Sequence, residues 1–366
     1  MATEFNRRQF LLLSAAGVLT PSLLLNTAFA DIARTILLIG AAKTINNDFC
    51  IAAINTQGEL RYSIALPARA HATSVRADGQ HAICMARRPG FYAVLFNPHD
   101  GKTLNILTPP KNHHYYGHAC YSADGQHILI TEGNINSEGI IGIYQANAPY
   151  QRIHEWRNIG IGPHELLLNP TTQHLVVAVG GIRTEWRENI NIADMQPALL
   201  FLNSQTGELL KQHTLNNSQL SIRHLASTKT GDIIIGTQYE GSASDNPSLV
   251  YRANLHTLQA LPATTTQWTD MNHYIGSVAT ADSQILATSP RGNAALYWAD
   301  ANAEPELINM RDVCAACPDP QQGFWLGSGT GLYRHLTSTS ITASERSNHE
   351  HLIWDNHWVS LQSTTV

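Results

Sequence analysis

The chain has 366 residues, of which 43% are hydrophobic, 14% charged and 7% aromatic, enough apolar material for a large core. With 23 Lys and Arg against 28 Asp and Glu the formal charge is −5, and neither sign forms a long block, which argues against a groove that tracks nucleic-acid phosphates. The 18 His are an excess that points to metal, because imidazole is the commonest biological metal ligand.

Read in chain order, the first element is an address. Arg7 and Arg8 precede an apolar run over 11–25 that ends in Ala28-Phe29-Ala30, a small-x-small cleavage pattern. Residues 1–30 read as a twin-arginine (Tat) export signal, which leaves 31–366 as a single mature domain in a bacterial periplasm with no further membrane span. Five cysteines, Cys50, Cys84, Cys120, Cys314 and Cys317, would then lie where disulfides persist. Cys314-Ala-Ala-Cys317 has ligand or redox spacing, but Pro318 stands where a c-type haem motif needs His and no second such pair completes a zinc site, so it reads as a local disulfide or two buried strand thiols.

Short apolar strands are expected over 35–40, 49–55 and 59–66, and then a repeat begins. His71–Gly90, His118–Gly133, His164–Gly181, His224–Gly241, Gly276–Gly292 and Val313–Gly329 share one grammar: strand, polar turn, strand, glycine loop. The closing glycines of the six copies recur about every 48 residues, and seven such units fill the mature length. Two further strands between copies give four per unit, the pattern of a propeller blade. The sequence therefore predicts an all-β, seven-bladed β-propeller whose closing blade is shared between outer strands from the N-terminus and an inner strand within 351–361 from the C-terminus. The one stretch that reads as helical is 184–195, inside an insertion.

In such a fold the lead-in to each innermost strand and the loop after the second strand surround one channel mouth. His71, His118, His164 and His224 occupy the lead-in of four successive blades and are the candidate metal ligands, for Fe, Cu or Zn. The competing role for each is to fix blade stagger by donating to a neighbouring blade's carbonyl. Glu132, Arg183, Arg223, Glu240 and Arg291 are candidate ligand-binding residues of the same mouth. His113 and His114 add to a dense cluster before His118, whereas His81, His127 and His174 start second strands and read as blade-surface residues. No nucleophile elbow, zincin motif or phosphate loop is present, so no catalytic residue is assigned.

The blocks Gly160-Ile-Gly-Pro-His164-Glu-Leu166, Leu220-Ser-Ile-Arg-His224-Leu225, Gln238-Tyr-Glu-Gly241 and Thr288-Ser-Pro-Arg-Gly292 resemble domain-of-unknown-function family 1513, Tat-exported proteins of Proteobacteria. The chain departs from that pattern at Val179 and at Glu185-Trp186, in the loop after the third inner hairpin. The resemblance implies a role beside imelysin-like and di-haem peroxidase-like partners in periplasmic iron acquisition or homeostasis. The expected function is thus a binding or accessory protein whose His- and Arg-lined mouth holds a metal, a metal chelate or a partner protein. The alternative is a propeller enzyme, an oxidoreductase or lactonase-like hydrolase acting on a small substrate.

Overall fold

The computed structural model describes residues 35–185, 188–337, 346–347 and 351–363. The expected export signal, residues 1–30, lies outside the described residues.

Seven four-stranded antiparallel sheets follow one another along the chain. Three strands, β1 (Thr35–Lys43), β2 (Phe49–Asn55) and β3 (Leu60–Leu66), come first and wait for the C-terminus. Blade 1 is β4 (Ala70–Val75), β5 (Ala82–Ala86), β6 (Ala93–Phe96) and β7 (Thr103–Leu107); blade 2 is β8 (His113–Tyr121), β9 (His127–Asn134), β10 (Gly139–Gln145) and β11 (Arg152–Trp156). Blade 3 is β12 (Pro163–Leu168), β13 (His174–Val179), β16 (Ala198–Asn203) and β17 (Leu209–His213), with a small hairpin of β14 (Thr184–Glu185) and β15 (Glu188–Asn189) inserted. Blade 4 is β18 (Leu220–Ser227), β19 (Ile233–Tyr239), β20 (Val250–Ala253) and β21 (Leu258–Ala260). A short helix, α1 (Thr265–Asp270), leads to blade 5: β22 (Ser277–Ala281), β23 (Gln284–Ser289), β24 (Ala294–Trp298) and β25 (Glu306–Asn309). Blade 6 is β26 (Val313–Pro318), β27 (Phe324–Ser328), β28 (Leu332–Leu336) and β29 (Arg346–Ser347). Finally β30 (Ile353–Ser363) pairs with β1 as the innermost strand of blade 7.

Neighbouring innermost strands touch in the order β4, β8, β12, β18, β22, β26, β30 and back to β4, so the ring is closed. The chain is the seven-bladed propeller its period predicts, with the shared blade closing it.

Composition explains the layering. Second strands are flanked by blades on both faces and read as continuous apolar runs: Ala82 to Ala86 in β5 and Leu175 to Val179 in β13 are wholly buried. Outermost strands face water, as in β17, where Leu209 to Gln212 are exposed. Closure is pinned by Trp358 of β30, which lies in a slot that two glycines leave open; a Cβ on Gly40 of β1 or on Gly327 of β27 would come within 2.5 Å of its indole. Trp358 thereby packs against blades 7 and 6 at once.

Two expectations are corrected or resolved. The stretch 184–195 is not helical: Thr184–Glu185 pairs with Glu188–Asn189, and one 3-10 turn spans Ile192–Asp194. Asn191 is the reason, since its side chain accepts from the Arg183 N–H and donates to the Gly181 carbonyl, offering the backbone partners that a helix would have to displace. All five cysteines are buried free thiols, so Cys314 and Cys317 form no disulfide.

Candidate metal centre

In a regular strand successive side chains alternate between faces, and an innermost strand of a propeller would send its residues toward one adjacent blade or the other. The His-bearing strands break that rule. The ladder between β4 and β5 slips between Ala70 and Thr73, around His71. That between β8 and β9 slips between Tyr115 and Ala119, around His118, and that between β12 and β13 between Pro163 and Leu166, around His164. The β18–β19 ladder slips between Ile222 and His224, and β30 slips against β1 between Trp354 and Trp358, around His357. Extra residues of this kind bend a strand and re-aim its side chains. Blade 5 makes the contrast: β22 and β23 pair without a slip, and no imidazole comes from β22.

The five re-aimed imidazoles meet. Ring centroids lie 4.6 Å apart for His118 and His164, 4.7 Å for His118 and His357, 4.8 Å for His71 and His357, 4.8 Å for His224 and His357, and 4.9 Å for His71 and His118. Gly117 makes one approach possible: at φ +105° it adopts a conformation that L side chains avoid, and a Cβ there would stand 2.9 Å from His71 Cδ2. One carboxylate joins the cage. Glu165 Oε2 lies 3.3 Å from His224 Nδ1 and accepts from the Leu225 N–H, while Oε1 lies 4.0 Å from His118 Nδ1. A second carboxylate stands behind: Asp355 Oδ1 is 3.6 Å from His71 Nδ1, and its other oxygen pairs with Arg69.

Burial sets the protonation states. It drives His118, His164, His224 and His357 well below the ordinary imidazole range, with His–His repulsion adding to it, so the cage is neutral at pH 7. His71 is lowered too, burial outweighing the opposing pull of Asp355. Burial raises Glu165 to about 8. For Asp355 burial acts upward, but His71 and Arg69 overcome it and hold the carboxyl well below the usual range.

Ring nitrogens of all five imidazoles have no hydrogen-bond partner: His71 Nδ1, His118 Nε2, His164 Nδ1, His224 Nε2 and His357 Nε2. Elsewhere in the molecule histidines do bind carbonyls, His81 to Ala146 at 3.1 Å, His213 to Asn254 at 2.8 Å and His273 to Asp245 at 2.6 Å. The blade-stagger role therefore belongs to those histidines and not to the cage. Ligand atoms of His118, Glu165, His224 and His357 all lie within 4.8 Å of one another, and so do those of His71, His118 and His164. Tetrahedral ligands at ~2.1 Å from an ion stand about 3.4 Å apart, so small side-chain movements suffice to close either group on a metal. Imidazole nitrogen with one carboxylate and no thiolate is a donor set for a divalent transition ion.

A match to the family model described as protein of unknown function (DUF1513) covers residues 64–361. The chain belongs to this family. No curated protein matches it.

In this DUF1513 protein the structure brings together His71, His118, His164 and His224, as the lead-in pattern suggests. Arg223, Glu240 and Arg291 line a cavity of about 250 Å³ whose wall also includes His71, His164 and His224. Two expected mouth residues lie elsewhere. Glu132 is wholly buried within blade 2, where its carboxylate accepts from Arg152 Nη2 at 2.9 Å and Tyr144 Oη at 2.6 Å; Gly142 across the ladder leaves the space for it. Arg183 is exposed and lines a separate depression with Phe91, Ile135 and Ile190. His113 turns to Glu132 at 3.4 Å and His114 packs on Tyr116, so neither reaches the cage.

His357, Glu165 and Asp355 are site residues that the repeat pattern misses. His357 lacks a lead-in signature because its strand is read last and pairs with the first. Glu165 follows His164 directly, and alternation would send it to the opposite face; only the slip between Pro163 and Leu166 turns both inward.

Proposed function

We propose that this chain is a periplasmic metal-binding protein whose five-imidazole, one-carboxylate centre holds a divalent transition ion, with iron the physiological ion and iron acquisition or homeostasis the process. The observation that carries the metal reading is the set of five converging imidazoles, each with a buried ring nitrogen that has no hydrogen-bond partner. A buried polar atom left unsatisfied costs about 1–3 kcal/mol, and evolution rarely gathers five without a ligand to satisfy them.

Donor chemistry narrows the ion. Neutral imidazoles with one carboxylate suit Fe(II), Zn(II) or Cu(II), and the lack of thiolate in the set disfavours Cu(I) and iron–sulfur chemistry. A lactonase-type centre would need several oxygen donors around a calcium-like ion, whereas the cage supplies one. Asp355 behind His71 supports the reading, because metal-bound imidazoles are commonly oriented by a carboxylate on their other side. Iron, the periplasm and imelysin-like or di-haem peroxidase-like partners are supported by the family resemblance and the twin-arginine leader.

The test is elemental analysis of protein exported by its own leader and purified without chelator or His-tag, beside a His118→Ala/His224→Ala variant whose fold is checked by circular dichroism. The expected result is near-stoichiometric metal in the wild type, iron predominating, and loss in the folded variant. A folded wild type that takes up none of Fe(II), Zn(II) or Cu(II) on reconstitution would overturn the reading.

A further inference from the structure

The cavity beside the cage is lined by two chemically distinct kinds of group. Three of its lining groups are imidazoles, His71, His164 and His224, and four are guanidiniums, Arg87, Arg88, Arg223 and Arg291, with Glu240 as the one carboxylate of the lining. A neighbouring cavity of about 500 Å³ shares Arg87 and Arg291 and adds Arg69 and Lys43, with Asp312 and Asp355 as its acids.

Arg223 is the informative residue. It lies inside the β18 slip, one position before His224, and the irregular pairing turns both side chains toward the channel where alternation would separate them. Its residue is 6% exposed, its Nε has no partner, and no carboxylate among the described residues stands within ion-pair distance. A guanidinium stays protonated at neutral pH even when buried. A buried unpaired guanidinium is unfavourable unless an anion completes it. Arg291 lines the same cavity, its guanidinium stacked on the Tyr274 ring at 4.3 Å, an arrangement that occupies one guanidinium face and leaves its donor edge for a planar oxyanion.

We propose that this cavity is a site for a small polycarboxylate that Arg223 and Arg291 clamp at one carboxylate while another ligates the ion in the cage. The inference rests on the metal reading for the second of its two anchors. Two anchors of unlike chemistry need at least two anionic groups on one molecule. The volume, at or below the ~300 Å³ where pockets for drug-sized ligands begin, limits that molecule to about the size of citrate. The protein would then hold a metal together with its carboxylate chelator rather than a bare ion.

Calorimetric titration of the mature chain with citrate, malonate and inorganic phosphate tests this, in metal-free protein and in protein loaded with zinc as a redox-inert ion. Citrate is expected to bind the loaded form at least about tenfold more tightly than the metal-free form, and more tightly than phosphate. Arg223→Gln and Arg291→Gln are each expected to lose about tenfold or more in citrate affinity while metal stoichiometry is retained. Arg291 is exposed, so its variant keeps the test decisive should Arg223→Gln fail to fold. Unchanged citrate affinity in a folded Arg223→Gln or Arg291→Gln variant would overturn the site, and equal affinity for phosphate would overturn its carboxylate class. Citrate binding that depends on both arginines in a protein that takes up no metal would instead overturn the metal reading and keep the clamp.

Discussion

Glu165 is a carboxylate that must lose a proton before it can ligate. Burial raises its pKa to about 8 in the metal-free fold, against ~4.3 in an unfolded chain. Its protonated form therefore contributes stability that is fully present below ~4.3 and is lost as pH rises through about 8. Metal uptake reverses the preference, because an ion stabilises the carboxylate. The five imidazoles are already neutral at pH 7 and add no protons to the exchange. Zinc binding should thus release close to one proton at pH 6 to 7 and about half a proton at pH 8, with affinity rising by about tenfold per pH unit at the lower end and levelling above about 8. Proton release measured by calorimetry in buffers of different ionisation enthalpy checks this. In Glu165→Gln the release should vanish and affinity should fall; unchanged release would remove Glu165 from the ligand set.

At the scale of the strand, the device that makes the site is the register slip. Gly117 is its most exposed weakness: at φ +105° and with His71 Cδ2 2.9 Å from where a Cβ would stand, Gly117→Ala meets backbone strain and a clash inside the cage. The expected outcome is a stability loss of about 1–3 kcal/mol in a denaturant titration, together with a clear loss of zinc affinity. Retained affinity would mean that the β8 slip does not aim His118. These slips also mark where the sequence stops being readable. A 48-residue period, the loop glycines and the apolar second strands announce the propeller, and the lead-in position announces His71, His118, His164 and His224. A slip of one or two residues leaves no compositional trace, so Glu165 beside His164 reads as a residue of the opposite face, whereas Arg223 is expected at the mouth from its place in the lead-in to β18. Glu132 fails for the converse reason: it sits where loop-flanking position suggests the mouth, but Gly142 on the adjacent strand opens a buried space that Arg152 and Tyr144 complete with it.

For the whole molecule, the decisive fact is that the cage straddles the ring closure. His71, His118, His164 and His224 come from blades 1 to 4, and His357 comes from β30, the last strand of the chain, which pairs with the first. An ion held by His118, Glu165, His224 and His357 would therefore cross-link β30 to blades 2 to 4, reinforcing Trp358 in its glycine slot. Because the ion binds the closed ring and finds no assembled site in an open one, it stabilises closure by mass action, about 2.7 kcal/mol at a hundredfold excess over Kd. That free energy should appear locally as well as in the melting temperature, since opening of a terminal strand is cheaper than global unfolding. Amide exchange in β30 and in its neighbours β1 and β4 should slow on zinc addition by a larger factor than exchange in β22 and β23, which lie in a blade that supplies no ligand. In His357→Ala the remaining imidazoles still offer zinc a site, but β30 is no longer tied to it, so its added protection should disappear while that of β8 and β12 persists. Equal slowing across all seven blades in the wild type, or unchanged β30 protection in His357→Ala, would show that the ion sits inside a ring already closed without its help.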